Sequence, residues 1–188
     1  TGAKTYDAST TSSGTVGVSG LQGSDTVAGL TQSYDNKNAG SRTLGVNGGY
    51  VVNDGNSGGN YTVTTQTASG TINKATLVVG LTGMIEKTYD ATTDASLTNA
   101  NYTLTGLIGG DKINLGNAVS GHYSDQNAGT GKTVSVTGLT LTGDDAGNYA
   151  FNSSATGAVG VIDKRSITLA ADNAGKIIGA DDPLLTWQ

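Results

Sequence analysis

Few side chains in this sequence could do chemistry. The chain carries one histidine, His122, and no cysteine. Acid–base catalysis needs partnered groups, and a thiol nucleophile needs a thiol. A lone histidine without cysteine also cannot assemble the nitrogen and sulfur ligands of a zinc site. Oxygen donors cluster in two loops, Asp54, Asn56 and Asn60 in one and Asp144, Asp145 and Asn148 in the other. Calcium takes about six to eight oxygens. Neither loop follows the Asp-x-Asn-x-Asp-Gly order that ends in a bidentate Glu, and ordinary turns use the same residues. Lys4, Lys74, Lys87 and Lys164 lie near recurring Asn and Asp residues. An internal Lys–Asn isopeptide bond would need a neutral, buried lysine beside a carboxylic acid. The sequence therefore predicts no catalytic residue and no cofactor, with calcium as the one ion to test.

The elements that must position these residues are strands. Gly, Thr, Ser and Asn make up close to half of the 188 residues, with 30 glycines and a single proline. These are weak helix formers. Alternating runs at Tyr61-Thr-Val63-Thr-Thr65, Tyr102-Thr-Leu104-Thr, Val134-Ser-Val136 and Leu139-Thr-Leu141 suit pleated strands with one face inward. Turn clusters such as Asn47-Gly-Gly49 and Gly143-Asp-Asp-Ala-Gly147 separate such runs. No apolar run is long enough to cross a bilayer as a helix. The net charge is −5, with only 13% charged residues and the basic ones scattered singly. That pattern lacks the electrostatic footprint of a nucleic-acid binder.

The chain also repeats itself. Lys4-Thr-Tyr6-Asp7-Ala8 returns as Lys87-Thr-Tyr89-Asp90-Ala91, and Gly20-Leu-Gln-Gly23 with Asp25 returns as Gly106-Leu-Ile-Gly109 with Asp111. Tyr34 and Asn38-Ala-Gly40 return as Tyr123 and Asn127-Ala-Gly129. Gly59-Asn60-Tyr61 returns as Gly147-Asn148-Tyr149, and Ile72 with Lys74 as Ile162 with Lys164. The spacing runs from 83 residues (Lys4 to Lys87) to 90 (Ile72 to Ile162). It drifts only in Gly- and Asn-rich stretches, where loops accept insertions. His122 has Ser33 as its counterpart, which argues against a repeated catalytic histidine. Tyr50 has no counterpart and is read as a satellite core residue.

Each recurring motif has a structural reading. Tyr6 and Tyr89 serve as buried anchors with a hydrogen-bonded hydroxyl. Asp7 and Asp90 accept backbone N–H groups of the following turn. Asn38 and Asn127 form Asx-turns, with Gly40 and Gly129 at positive φ. Asn60 and Asn148 close loops ahead of the inward aromatics Tyr61 and Tyr149.

These motifs resemble the YDG-type repeat modules of large bacterial surface adhesins, many of filamentous-haemagglutinin type. Both copies carry Ala (Ala8, Ala91) where that pattern has Gly. Lys176 with Asp182-Pro183-Leu184 and Leu185-Thr186 is similar to the opening of an MBG-type module, which departs from the usual pattern at Ile178. The resemblance implies an all-β module used in tandem, secreted to the surface of a Gram-negative cell and serving attachment or biofilm formation. It implies no catalytic residues.

The expected architecture is all-β, two tandem β-sandwich (immunoglobulin-like) modules joined end to end in an elongated arrangement. The first spans residues 1–80, the second 81–170, and residues 171–188 open a truncated third module that takes in Trp187. Residues 165–169 stand after the second copy where Ala75-Thr-Leu-Val-Val79 stands after the first. The first copy is expected to lack its own lead-in strand, leaving an open sheet edge. Leu77, Val78, Val79, Leu81 and Ile85 predict a packed junction. The expected function is a stalk that projects an adhesive region, with neighbouring repeats as partners. The alternative is that the repeats themselves bind polysaccharide or host glycan, without nucleic acid or membrane insertion.

Overall fold

A computed structural model describes residues 2–171, 175, 177–179 and 181. The proposed MBG-type residues Lys176 and Asp182 to Thr186, and Trp187, lie outside the described residues. The chain is all-β. The first repeat contributes β1 (Gly2–Thr5), β2 (Thr26–Ala28), β3 (Gln32–Tyr34), β4 (Gly40–Val46), β5 (Val51–Asn53) and β6 (Ala68–Asn73). Then come β7 (Ala75–Leu81), β8 (Ile85–Thr88), β9 (Asp94–Ser96), β10 (Tyr102–Thr105), β11 (Asn114–Gly116) and β12 (Ser120–Tyr123). Last are β13 (Gly129–Thr137), β14 (Thr140–Thr142), β15 (Tyr149–Phe151) and β16 (Ser154–Asp163).

The duplication read from the sequence is visible in the pairing. One sheet runs β1-β6-β4-β3 and its counterpart runs β8-β16-β13-β12-β9. In both, the first strand lies parallel to the last strand of its repeat, and the remaining neighbours are antiparallel. The place of β9 is taken in the first repeat by a single bridge, Thr11 to Ser33. The pair β2-β5 matches β11-β14.

The repeats differ at β7. It runs between β10 and β15, antiparallel to the first and parallel to the second. The sequence reading closes the first module at residue 80, but β7 pairs only with strands of the second repeat. The divide in strand pairing therefore falls between Asn73 and Ala75. The counterparts of β10 and β15 in the first repeat are residues 16–19 and 61–63, and neither forms a strand. The run at residues 61–65 alternates as a strand should, but no described residue occupies the middle position it would pair with. A strand needs a partner for its backbone N–H and C=O groups, so alternation alone does not create one.

Side-chain alternation places the core. Val134 and Val136 on β13, Ile162 on β16, Ile85 on β8 and Val79 on β7 bury together with Tyr123. A second cluster joins Tyr6, Tyr34, Leu44 and Ile72 of the first repeat to Ala75 and Leu77 of β7 and Tyr149 of β15. Burying each aliphatic side chain contributes about 1.5–3 kcal/mol. In the junction residues named from the sequence, Leu77, Val79 and Ile85 are buried, Leu81 packs partly, and Val78 faces outward.

Two glycines make this packing possible. The ring of Tyr123 lies on Gly160, where an added Cβ would stand 2.7 Å from the ring and 2.9 Å from the carbonyl oxygen of Lys132. Gly70 receives the ring of Tyr34 in the same way, at 2.7 Å. Gly40 has a positive φ of +128°, as expected. Gly129 does not; it lies in β13, and the left-handed position is Gly131 (φ +65°), at the register shift between Thr130 and Lys132. The bulge absorbs one extra residue there, so the turn geometry is displaced by two positions from its first-repeat counterpart.

Substituting Gly160→Ala is expected to destabilise the fold by about 1–3 kcal/mol through overpacking against Tyr123. Urea unfolding followed by tyrosine fluorescence measures it; an unchanged midpoint would contradict the close packing.

Candidate functional site at the repeat junction

The recurring residues build two local devices and one long-range contact. The first local device is the Lys-Thr-Tyr-Asp turn. Lys4 Nζ donates to Asp7 Oδ1 at 2.6 Å and to the Ser9 carbonyl at 2.8 Å. Asp7 Oδ1 also accepts the Ser9 N–H at 2.9 Å. Lys87, Asp90 and Thr92 repeat the arrangement, at 2.8, 2.8 and 2.9 Å. Each ammonium also lies over a tyrosine ring, Lys4 over Tyr34 at 5.6 Å and Lys87 over Tyr123 at 5.4 Å. The Lys87 ammonium, followed by the N–H and hydroxyl of Thr92, holds the Asp90 carboxyl at about 2. At Asp7, burial pushes the carboxyl up, but Lys4 and Ser9 outweigh it and the net shift is downward. These are ion pairs between charged groups, not the neutral amine and carboxylic acid that an isopeptide bond requires. Ala8 and Ala91 follow at φ of +62° and +63°, a region that costs a residue with a Cβ about 1–2 kcal/mol.

The second local device is the loop at residues 35–40. Asn36 Oδ1 accepts the N–H of Asn38 at 2.8 Å, and Asp125 Oδ1 accepts that of Asn127 at 2.8 Å. The side chain that forms each Asx-turn is thus two residues before the asparagine named from the sequence. Arg42 fastens the first loop by donating to the carbonyls of Asn38 and Ala39 at 2.6 and 3.0 Å.

The long-range contact joins the repeats. The Tyr6 hydroxyl donates to Asp111 Oδ1 at 3.0 Å, and the Tyr149 hydroxyl donates to Asp111 Oδ2 at 2.6 Å. The Ile108 N–H donates to the Tyr149 hydroxyl at 3.0 Å. The two rings meet edge to face with centroids 5.8 Å apart, a favoured aromatic geometry. Burial, reinforced by Asp111, pushes the Tyr149 hydroxyl up to about 12 and raises that of Tyr6 further. Beside them the Ala39 N–H donates to Asn148 Oδ1 at 2.9 Å, and Lys37 stands 3.5 Å from Asp145. Asn148 is the buried polar residue of the described chain, at 3% exposure.

The same residues at the outer ends provide an internal control. Asp25 takes the hydroxyl of Tyr61 at 2.7 Å, and Gln22 N–H donates to that hydroxyl at 2.9 Å. This matches Asp111, Tyr149 and Ile108 without the visiting tyrosine. Tyr61 is half-buried and Asn60 exposed, whereas Tyr149 and Asn148 are buried. Tyr89, the counterpart of Tyr6, is half-buried, and Asn127 is exposed. Each repeat thus carries one tyrosine plug and one aspartate–tyrosine socket, and the first repeat's plug sits in the second repeat's socket.

Several of the calcium candidates are engaged within the chain. Asp54 accepts the N–H groups of Asn56, Gly58 and Asn60 at 2.8, 2.8 and 3.0 Å. These bonds, with that of Asn60 largest, hold its carboxyl below the usual range. Asn56 and Asn60 bond to each other at 3.1 Å. Asp145 accepts the Lys112 N–H at 2.9 Å, which with Lys37 lowers its carboxyl. Asp144 is exposed. His122 lies on the sheet surface, cross-strand from Asp94 with Nδ1 3.4 Å from its carboxylate, and both side chains are exposed. The sequence registered the recurrence of Asp25 and Asp111 but not their role; Lys37 carried no signal at all.

Replacing Tyr6 by Phe is expected to cost about 1.5–3 kcal/mol, the range for a hydrogen bond to a charged acceptor. Phe substituted at Tyr89, the same motif without a visitor's socket, should cost far less. Thermal unfolding of the two variants checks the contrast, and equal losses would contradict it. The pairing at Asp90 depends on pH. Its folded value lies below the ordinary carboxyl value near about 4, so the contribution is complete above about pH 4 and is lost as pH falls towards 2. Asp90→Asn should remove that part of the acid dependence of the melting temperature.

A family model described as the YDG domain matches residues 1–68 and again residues 73–157. No curated protein and no solved structure matches the chain at a significant level. The chain belongs to the YDG-domain family and carries two copies of the domain.

Proposed function

We propose that this member of the YDG-domain family is a structural stalk repeat of a large secreted bacterial adhesin. Two immunoglobulin-like β-sandwich modules are joined end to end, and the array projects an adhesive region from the cell surface for attachment or biofilm formation. Neighbouring repeats are its partners, and the chemistry of the repeat is cohesion, not catalysis.

The observation that carries this reading is the tyrosine plug in an aspartate socket, joined once, with one further socket at Asp25 and one further plug at Tyr89 left open. An interface whose two halves both occur in each repeat adds units in a row, as in other one-dimensional arrays. Its polar core supports the same reading. Tyr6, Asp111 and Tyr149 fix orientation as well as separation, because two hydroxyls must reach two oxygens of one carboxylate. The absence of a Pro- or Ser-rich spacer between Lys74 and Ile85 leaves little freedom to bend.

Small-angle scattering tests the reading. The expected result is an asymmetric distance distribution with a long tail, as for two modules in line. A symmetric, bell-shaped distribution would contradict the stalk.

A further inference from the structure

The first repeat contains a groove of about 490 Å³ in the position that β7 fills in the second. Val16, Val18, Val27, Val52, Tyr61 and Val63 line it. Its walls include residues 16–19 and 61–63, the counterparts of β10 and β15. A Cβ added to Gly106 would collide with the Thr76 carbonyl of β7, whereas one added to Gly20 would meet nothing within 4 Å. The two glycines share the left-handed backbone (φ +93° and +88°). The place for a central strand is therefore shaped but not filled by any described residue.

A strand of matching pattern lies at the other end of the chain. Residues 165–171 follow β16 as β7 follows β6. Ile167 and Leu169 stand where Leu77 and Val79 stand. Leu77 and Val79 are 1% and 2% exposed, but Ile167 and Leu169 are 81% and 90% exposed and belong to no strand. The plug and socket lie at the same two ends, Tyr89 with the exposed segment and Asp25 with Tyr61 beside the groove. One relative placement of two copies would fill both.

We propose that residues 165–171 of one copy of this 188-residue chain insert into the first-repeat groove of a second copy as its central strand, joining the copies head to tail. The register follows β7: antiparallel to residues 16–19 with Leu169 opposite Val18, and parallel to residues 61–63 with Ile167 opposite Val63. The added strand satisfies backbone groups on both walls and buries two aliphatic side chains, the general mode of strand addition. Because donor and acceptor are different surfaces, the contact does not close on itself and continues into chains. The proposal rests on the tandem reading above and extends it from neighbours in one chain to neighbours in separate chains.

Sedimentation of the full chain over a range of concentrations tests it. Wild type should grow beyond dimers as concentration rises. The donor variant Ile167→Asp/Leu169→Asp changes only residues exposed in the single chain, so it should keep the melting temperature of dilute, monomeric wild type and remain monomeric at every concentration, without the concentration-dependent stabilisation of wild type. The groove variant Val18→Asp should also remain monomeric. An equimolar mixture of the two variants retains one good groove and one good strand, and should stop at a dimer. A wild-type chain that stays monomeric, a donor variant that associates like wild type, or a mixture without dimers would overturn the proposal. If such a result came with an intact Tyr6→Phe against Tyr89→Phe contrast, in-chain stacking would stand and strand exchange alone would fall.

Discussion

β7 is held by backbone pairing on both sides, to β10 from Leu81 to Val78 and to β15 from Ala75 to Leu77. The Asn152 amide adds a clamp, accepting the Val79 N–H at 2.7 Å and donating to the Val79 carbonyl at 2.9 Å. From this one strand the rest of the architecture follows. Its inward face delivers Leu77 to the core shared with the first repeat and Val79 to the core of the second. Without it, the flanking segments have no donors or acceptors to meet. The first repeat displays that condition directly, since residues 61–63 carry the same inward–outward alternation as β15 but no ladder.

The junction also couples polar chemistry to packing. Tyr6 can reach Asp111 only because β1 pairs with β6, which leads through Lys74 into β7. The buried ring pair and the buried Asn148 flank this half-buried carboxylate, and a hydrogen bond is worth more, and costs more to lose, where solvent is reduced. The raised hydroxyl values of Tyr6 and Tyr149 express the same environment. The contact between the repeats therefore draws on the same strand that completes the second repeat.

Much of this was legible in the residues. Alternation located β10, β13 and β14, and the recurring tetrads exposed the duplication because loops took up the length differences. The turn role of Asp7 and Asp90 followed from residue type, since a carboxylate two positions before an N–H caps it locally. Long-range partners were not legible. Tyr6 reads as an anchor of its own repeat, yet its acceptor lies in the next one, and a sequence carries no distance between residues 6 and 111. The run at residues 61–65 misleads for a related reason: alternation records a face, whereas a strand requires a neighbour. Gly129 misleads because the bulge moves the left-handed position to Gly131. The acidic loops at Asp54 and Asp145 hold a calcium-like composition, but Asp54 accepts three backbone N–H groups and Asp145 one, with Lys37 beside it.

Amide hydrogen exchange on the dilute monomer tests the central claim most directly, that a repeat is completed by the strand preceding it. Amides of residues 102–105 and 149–151, flanked by β7, should be strongly protected. Those of residues 16–19 and 61–63 should exchange close to the rate of an unstructured chain. Equal protection of the two sets would contradict the account.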